Sequence, residues 1–141
     1  MRFIDTNIFL YALIRPKRDR SHNEHIIKNK SKKILESIDI NEKVMTTVVH
    51  ISEVINILES NSTYEYALES ANSILLHDNI LILSVSKNDY AICIGIAKKY
   101  NIGINDALAV FFMQNHQIKE IYSFDKHFDK IDGIKKTVGL T

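Results

Sequence analysis

Short apolar runs alternate with longer segments of helical periodicity along the chain, and this alternation constrains the fold more than any other feature. Strands are predicted at 2–5, 43–47, 80–85, 120–124 and 136–140. Helices are predicted over 7–14, 22–38, 48–60, 63–77, 87–100 and 106–115. The pattern predicts an α/β fold in which helices flank a central, mainly parallel sheet. The continuous apolar run at 80–85 predicts a strand that is buried on both faces.

Length and composition limit the chain to a few classes of protein. Its 141 residues predict one domain, 1–141. The single cysteine, Cys93, excludes an internal disulfide and fits a reducing compartment. The first apolar run is interrupted by Asp5 and Asn7 and precedes no cleavage site, and no run approaches the length of a membrane span. We therefore expect a cytoplasmic protein without membrane contacts.

Four acidic residues fall at equivalent positions of the predicted fold. Asp5 ends the first strand, and Asp125 follows the strand at 120–124. Asp106 lies in the first turn of a helix, and Glu53 lies in the second turn of the helix after the second strand. In a parallel sheet these positions share the carboxyl edge, near a point where the strand order reverses, so the four side chains can converge there.

Converging carboxylates repel one another, and a divalent cation relieves the repulsion. A site made of oxygen ligands favours Mg²⁺ or Mn²⁺ and suits the hydrolysis of a phosphodiester. Each acid also has a structural interpretation. Asp5, Asp106 and Asp125 could serve as helix caps, first-turn acids or loop residues. Glu53 borders the apolar face of its helix, where a carboxylate needs a partner.

The motifs around these acids resemble those of a known family. They are Asp5-Thr6-Asn7, Ser52-Glu53, Asn105-Asp106-Ala107-Leu108 and Ser123-Phe124-Asp125-Lys126-His127-Phe128. In this order they resemble the PIN-domain nucleases, and most of all the small VapC-type toxins of toxin–antitoxin pairs. The resemblance covers essentially the whole chain.

The resemblance implies a PIN-like three-layer fold and a Mg²⁺- or Mn²⁺-dependent ribonuclease that cleaves single-stranded RNA. It implies that Asp5, Glu53, Asp106 and Asp125 are the catalytic and metal-binding residues. Asn7 and Ser123 match positions near the site, where they would orient the acids or simply form caps and turns. His127 stands where many relatives have a second Asp. The implied partners are an RNA substrate, a second copy in a homodimer and an antitoxin protein.

A basic segment follows the first helix and offers candidate RNA contacts at Arg15, Lys17, Arg18 and Arg20. The same segment could instead be a solvated surface, or contact an antitoxin or a second subunit. The aromatic residues Tyr11, Tyr64, Tyr66, Phe111 and Phe112 could stack on bases, although core packing is the usual role of aromatic residues at helical spacing.

Three alternatives remain open at this stage. The chain could be an RNA-processing nuclease or an inactive PIN domain that docks RNA or a partner. It could also be a haloacid-dehalogenase-type phosphatase with Asp5 as nucleophile and Asp125 and Asp129 as Mg²⁺ ligands. That family needs a second acid where Asn7 stands, and it leaves Glu53 without a role.

Overall fold

The computed structural model describes residues 1–15 and 21–138, and their centre is a five-stranded parallel sheet. The strands are β1 (Arg2–Ile4), β2 (Val44–Thr47), β3 (Ile80–Leu83), β4 (Glu120–Tyr122) and β5 (Lys135–Thr137). They lie in the order β3-β2-β1-β4-β5. The predicted α/β fold with a parallel sheet is confirmed.

Helices connect the strands as the periodicity predicts. They are α1 (Thr6–Leu13), α2 (His22–Ile40), α3 (Val48–Asn61), α4 (Tyr64–Leu75), α5 (Lys87–Tyr100) and α6 (Ile104–Asn115), with a 3₁₀ helix at Lys126–Lys130. Thr47 caps α3 as expected, because its side chain accepts a hydrogen bond from the His50 backbone N–H. Within the described residues, no helix is both long and apolar enough to cross a membrane.

Two cores lie on opposite faces of the sheet because successive residues of a strand point to opposite sides. Phe3, Met45 and Ile121 pack with residues of α5, α6 and the 3₁₀ helix. Ile4, Val44 and Tyr122, their neighbours along the strands, pack with residues of α1, α2, α3 and α4. Helices therefore cover both faces, as predicted.

The expectation that residues 80–85 are buried on both faces is wrong. Among the described residues, β3 is an edge strand that pairs with β2 alone, and Leu81 is 47% exposed. A continuous apolar run does not distinguish a central strand from an edge strand, since the position in the sheet depends on which strand lies next to it.

The strand order places a crevice at the carboxyl edge of the sheet. The chain runs from β1 to β2 and β3 on one side, then crosses over through α5 and α6 to β4 on the other. β1 and β4 are therefore neighbours from which the connections leave in opposite directions, which is where α/β sheets bind ligands.

Candidate active site

A cleft of about 460 Å³ opens at this edge of the sheet. Asp5, Glu53, Asp106 and Asp125 all line it, together with His50 and Asn105. Residues separated by as much as 120 positions in sequence thus face one space, which is the convergence that the strand pattern predicts.

Asp5 lies at the bottom of the cleft and is only 5% exposed. Its Oδ1 accepts a hydrogen bond from the Thr6 backbone N–H at 2.8 Å, and its Oδ2 accepts one from the Ser123 hydroxyl at 2.7 Å. Burial, with the charges of Asp106 and Asp125 nearby, raises the pKa of Asp5 to about 7 in spite of these two bonds. Asp5 does cap α1, so its predicted structural role and its place in the cleft coexist.

Ser123 and Asn7 connect the ends of β1 and β4. The Ser123 hydroxyl donates to Asp5 and also accepts a hydrogen bond from the Asp125 backbone N–H at 3.0 Å. The Asn7 amide lies 3.5 Å from the same hydroxyl, and Asn7 Oδ1 accepts from the Phe124 N–H at 3.4 Å. These bonds fix the Asp5 carboxylate relative to the backbone of Asp125.

Asp106, Asp125 and His127 form the most compact group of potential metal ligands in the described part of the chain. One ligand atom of each lies within 4.8 Å of the other two. His127 Nδ1 lies 3.1 Å from Asp125 Oδ1 and 3.3 Å from Asp106 Oδ2. Burial and the neighbouring Asp125 charge raise the pKa of Asp106, while His127 opposes this rise. A cation at this position would neutralise the acids that now repel each other.

Glu53 is held by a side chain on α6. Its Oε2 accepts a hydrogen bond from Asn105 Nδ2 at 2.8 Å, and Asn105 Oδ1 accepts one from the Tyr90 hydroxyl at 2.6 Å. Both heteroatoms of the Asn105 amide are therefore engaged. The partner that a half-buried Glu53 needs is thus an amide on another helix.

His50 is a residue of this cleft that the sequence did not indicate. It is 1% exposed, and its Nε2 lies 3.0 Å from the Asn105 carbonyl oxygen. A carbonyl only accepts, so Nε2 carries the proton and Nδ1 accepts from the Thr47 hydroxyl at 2.7 Å. Burial lowers the pKa of His50 to about 4, so the ring is neutral at pH 7. The only signal in the sequence is its place three residues after Thr47.

Comparison with known families identifies the chain. The model of the PIN domain family matches residues 2–134. The chain belongs to the PIN domain family. None of the curated protein sequences compared with it matches.

Solved structures share the PIN fold at low sequence identity. One is VapC20 of Mycobacterium tuberculosis, described as a sarcin–ricin loop cleaving toxin, with a TM-score of 0.70, 20% identity and coverage of 89% of this chain and 91% of that chain. A toxin–antitoxin complex from Klebsiella pneumoniae gives a TM-score of 0.66 at 15% identity, with 96% of each chain covered. VapBC2 of Rickettsia felis, bound to a promoter DNA fragment, gives 0.65 at 16% identity, again with 96% of each covered.

Two other predicted residues of this PIN domain that the structure describes, Arg15 and Asp129, do not line the cleft. Arg15 follows α1, and its guanidinium lies 4.3 Å from the centre of the Tyr66 ring. Lys17, Arg18 and Arg20 lie outside the described residues. Asp129, the second Mg²⁺ ligand of the phosphatase alternative, pairs with Lys136 at 3.2 Å and does not line the cleft.

Proposed function

We propose that this PIN domain is a metal-dependent endoribonuclease that cleaves single-stranded RNA and acts as the toxin of a toxin–antitoxin pair. One observation carries the proposal. Asp5, Glu53, Asp106 and Asp125, drawn from two strand ends and two helices, line a single cleft at the reversal of the strand order. Structural neighbours described as a toxin and as toxin–antitoxin complexes support the biological role.

The donor set fits a divalent cation. Asp106, Asp125 and Asp5 would hold it, and Glu53 would hold it or position the attacking water. His127 adds an imidazole nitrogen beside two of the acids. Imidazole is a better ligand for transition metals than for Mg²⁺, so we infer that Mn²⁺ binds more tightly than Mg²⁺ at this site.

The residues of the chain prepare the site for hydrolysis of an RNA phosphodiester. When bound, the cation would acidify water and stabilise the charge on the phosphate. Ser123 keeps the Asp5 carboxylate oriented, because it donates to Oδ2 while it also fixes the Asp125 backbone. Asn105 donates to one Glu53 oxygen and thereby sets the direction of the carboxylate. His50 fixes the Asn105 backbone in turn, so it acts as a positioning residue.

The partners follow from the same proposal. Arg15, with Lys17, Arg18 and Arg20, would contact the RNA backbone. The protein would form a homodimer in the cytoplasm and be inhibited by an antitoxin that covers the cleft.

Cleavage of a mixed RNA pool tests the enzyme activity. The purified protein should cut single-stranded RNA with Mn²⁺ or Mg²⁺, and EDTA should stop the reaction. Asp106→Asn should reduce the rate by roughly 100-fold or more, because it removes a ligand that acts in the transition state. A duplex form of the same RNA should be cut poorly.

Asp129→Asn is the matched control, since it changes an exposed acid that pairs with Lys136 outside the cleft. It should cleave at the wild-type rate. A folded wild-type protein that cuts no RNA with either metal, or an Asp106→Asn variant of full activity, would contradict the proposal.

Co-expression with an antitoxin encoded beside it should restore the growth of cells that the wild-type protein arrests.

A further inference from the structure

An exposed aromatic side chain lies on α1, the helix that Asp5 of the cleft caps. Tyr11 lies on α1 one turn after Asn7 and is 38% exposed. Among the described residues its hydroxyl has no hydrogen-bond partner that would account for a polar role in the fold. Its ring meets that of Phe124 edge to face, with centroids 5.6 Å apart and planes at 87°. The contact fixes the orientation of the Tyr11 ring while the side chain remains open to solvent.

Phe124 links this ring to the acids. It lies in sequence between Ser123, which donates to Asp5, and Asp125. Its backbone N–H donates to Asn7 Oδ1, the residue one turn before Tyr11 on α1. The aromatic pair and the carboxylates are thus positioned by the same hydrogen-bonded junction.

Cations hold the end of α1 beyond Tyr11. The Lys28 ammonium donates to the carbonyl oxygens of Tyr11, Ala12 and Ile14 at 3.3, 3.3 and 2.9 Å. The Tyr66 hydroxyl donates to Leu13 O at 2.6 Å, and Arg15 stacks on the Tyr66 ring. From the cap of α1 to the residues after its end, the chain therefore passes from Asp5 of the cleft to an aromatic ring and then to positive charge.

We propose that Tyr11, supported by Phe124, is a nucleobase subsite on which one base of single-stranded RNA stacks next to the scissile phosphate. This inference rests on the proposed nuclease function. The order of the cleft, the Tyr11 ring and Arg15 matches the order of groups along a single RNA strand. One phosphate would lie at the acidic cleft, a base at the ring and a further phosphate near Arg15. A held ring loses little entropy when a base stacks on it, and stacking tolerates any base identity.

RNA fits this surface better than a protein partner does. Proteins that bind single strands combine positive charge with aromatic rings on which bases stack. Here Tyr11 lies on α1, about 6 Å from Asn7 by helical rise, and Arg15 follows two residues after that helix ends. Tyr11 therefore contributes to binding and to the placement of the cleaved bond, and not to the chemical step.

Abasic scanning of a bound RNA tests the subsite. The Asp106→Asn protein, which cleaves slowly at most under the proposal, is titrated against labelled, unstructured RNAs that each lack one base. We expect one abasic position to weaken binding roughly tenfold. In Asp106→Asn/Tyr11→Ala all RNAs should bind with that lower affinity, and the abasic position should have no further effect. Asp106→Asn/Tyr11→Phe should behave as the parent does.

Asp106→Asn/Tyr64→Ala is the matched control, because Tyr64 is 64% exposed at the start of α4. It should retain the effect of the abasic position. An abasic effect that persists in the Tyr11→Ala protein overturns the subsite. Equal binding by all variants would overturn it as well and would favour a protein as the partner that contacts the ring. Failure of the parent to bind any RNA overturns the subsite too, and wild-type cleavage measured beside it shows whether the nuclease proposal fails as well.

Discussion

His50 is neutral because of the groups that surround its ring. The ring is buried between Thr47 and Asn105 and lies edge to face against Phe3, with centroids 5.2 Å apart. Protonation would place a second proton on Nδ1, where the Thr47 hydroxyl now donates. The bond from Nε2–H to the Asn105 carbonyl favours the charged ring, but burial outweighs it and keeps the ring neutral. Protonation in acid would therefore bury a charge and remove the bond from Thr47, on the side of the cleft that carries Glu53.

We expect His50 to make the fold sensitive to acid. Its pKa is about 4 in the folded protein, against 6.5 for an ordinary histidine. The unfolded chain thus binds more protons between these values, and the stability that neutral His50 provides, present above pH 6.5, is lost as the pH falls towards 4. The loss amounts to about 3 kcal/mol at most. Urea unfolding from pH 7 to 4 should show the wild type losing its advantage over His50→Gln.

The exposed His25 provides the control. The difference in free energy of unfolding between the wild type and His25→Gln should stay constant over the same pH range. A wild-type advantage over His50→Gln that is equal at pH 7 and pH 4 would contradict the neutral, buried assignment of His50.

Residue type and local position were enough to predict that the acids share one edge of the sheet, but not which residues hold Glu53. Asp5 and Asp125 follow strands, so the edge they share can be read from the strand pattern. The contact between His50 and Asn105 spans 55 positions, and that between Asn105 and Glu53 spans 52. Nothing in a single sequence specifies such pairs, because they depend on how α3 and α6 approach each other across the sheet.

At the scale of elements, the end of α1 is stabilised by other helices and not by its own sequence. Its last carbonyls accept hydrogen bonds from Lys28 of α2 and from Tyr66 of α4. The positions of Tyr11 and Arg15 thus depend on the packing of three helices. A cation is well placed at the C-terminus of a helix, where the backbone dipole is negative.

Loss of the Lys28 ammonium should weaken this packing. We expect Lys28→Met, which keeps most of the apolar stem, to lower the free energy of unfolding by about 2 kcal/mol, because charged hydrogen bonds to half-buried carbonyls are removed. Lys32→Met, on the exposed face of α2, should change it by less than about 0.5 kcal/mol. Chemical denaturation of both variants measures the difference, and equal stabilities would show that the cap contributes nothing.

The boundaries of elements were predicted best where side chains mark them. Thr47 caps α3 with its hydroxyl, and α3 begins at the predicted residue. α6 begins at Ile104, two residues before the predicted 106. Its N-cap residue is Gly103, which has no side chain that would mark the start of the helix in the sequence. The last strand is Lys135–Thr137, one residue earlier at its start than predicted. Its place depends on pairing with β4, which no local pattern encodes.

At the scale of the molecule, the cleft concentrates negative charge in a chain whose formal net charge is +1. Asp5 and Asp106 both have raised pKa values, and burial is the main cause, with neighbouring carboxylates adding to it. The folded protein therefore keeps carboxylates that repel each other at this edge of the sheet, and the same carboxylates can bind a cation. Removal of one of these acids should therefore raise the stability of the metal-free protein and lower its proposed nuclease activity.

We expect Asp106→Asn to raise the melting temperature of the metal-free protein and to abolish the further rise that metal produces. At a hundredfold excess over its dissociation constant, a ligand stabilises the folded state by about 2.7 kcal/mol, or roughly 5 to 10 °C for a chain of this size. Mn²⁺ should reach this effect in the wild type at a lower concentration than Mg²⁺, because His127 adds a nitrogen ligand.

Thermal melts of metal-free and Mn²⁺-loaded protein, with Asp129→Asn as control, separate a metal ligand from a structural acid. Asp129 pairs with Lys136 away from the cleft, so Asp129→Asn should keep the full response to metal. An acid that merely stabilises the fold would lower the metal-free melting temperature when replaced and leave the metal response unchanged. A carboxylate that is repelled by its neighbours without a cation, and that binds the cation when it is present, gives the opposite result. Its replacement raises the metal-free melting temperature and abolishes the metal response, and we expect both changes for Asp106→Asn.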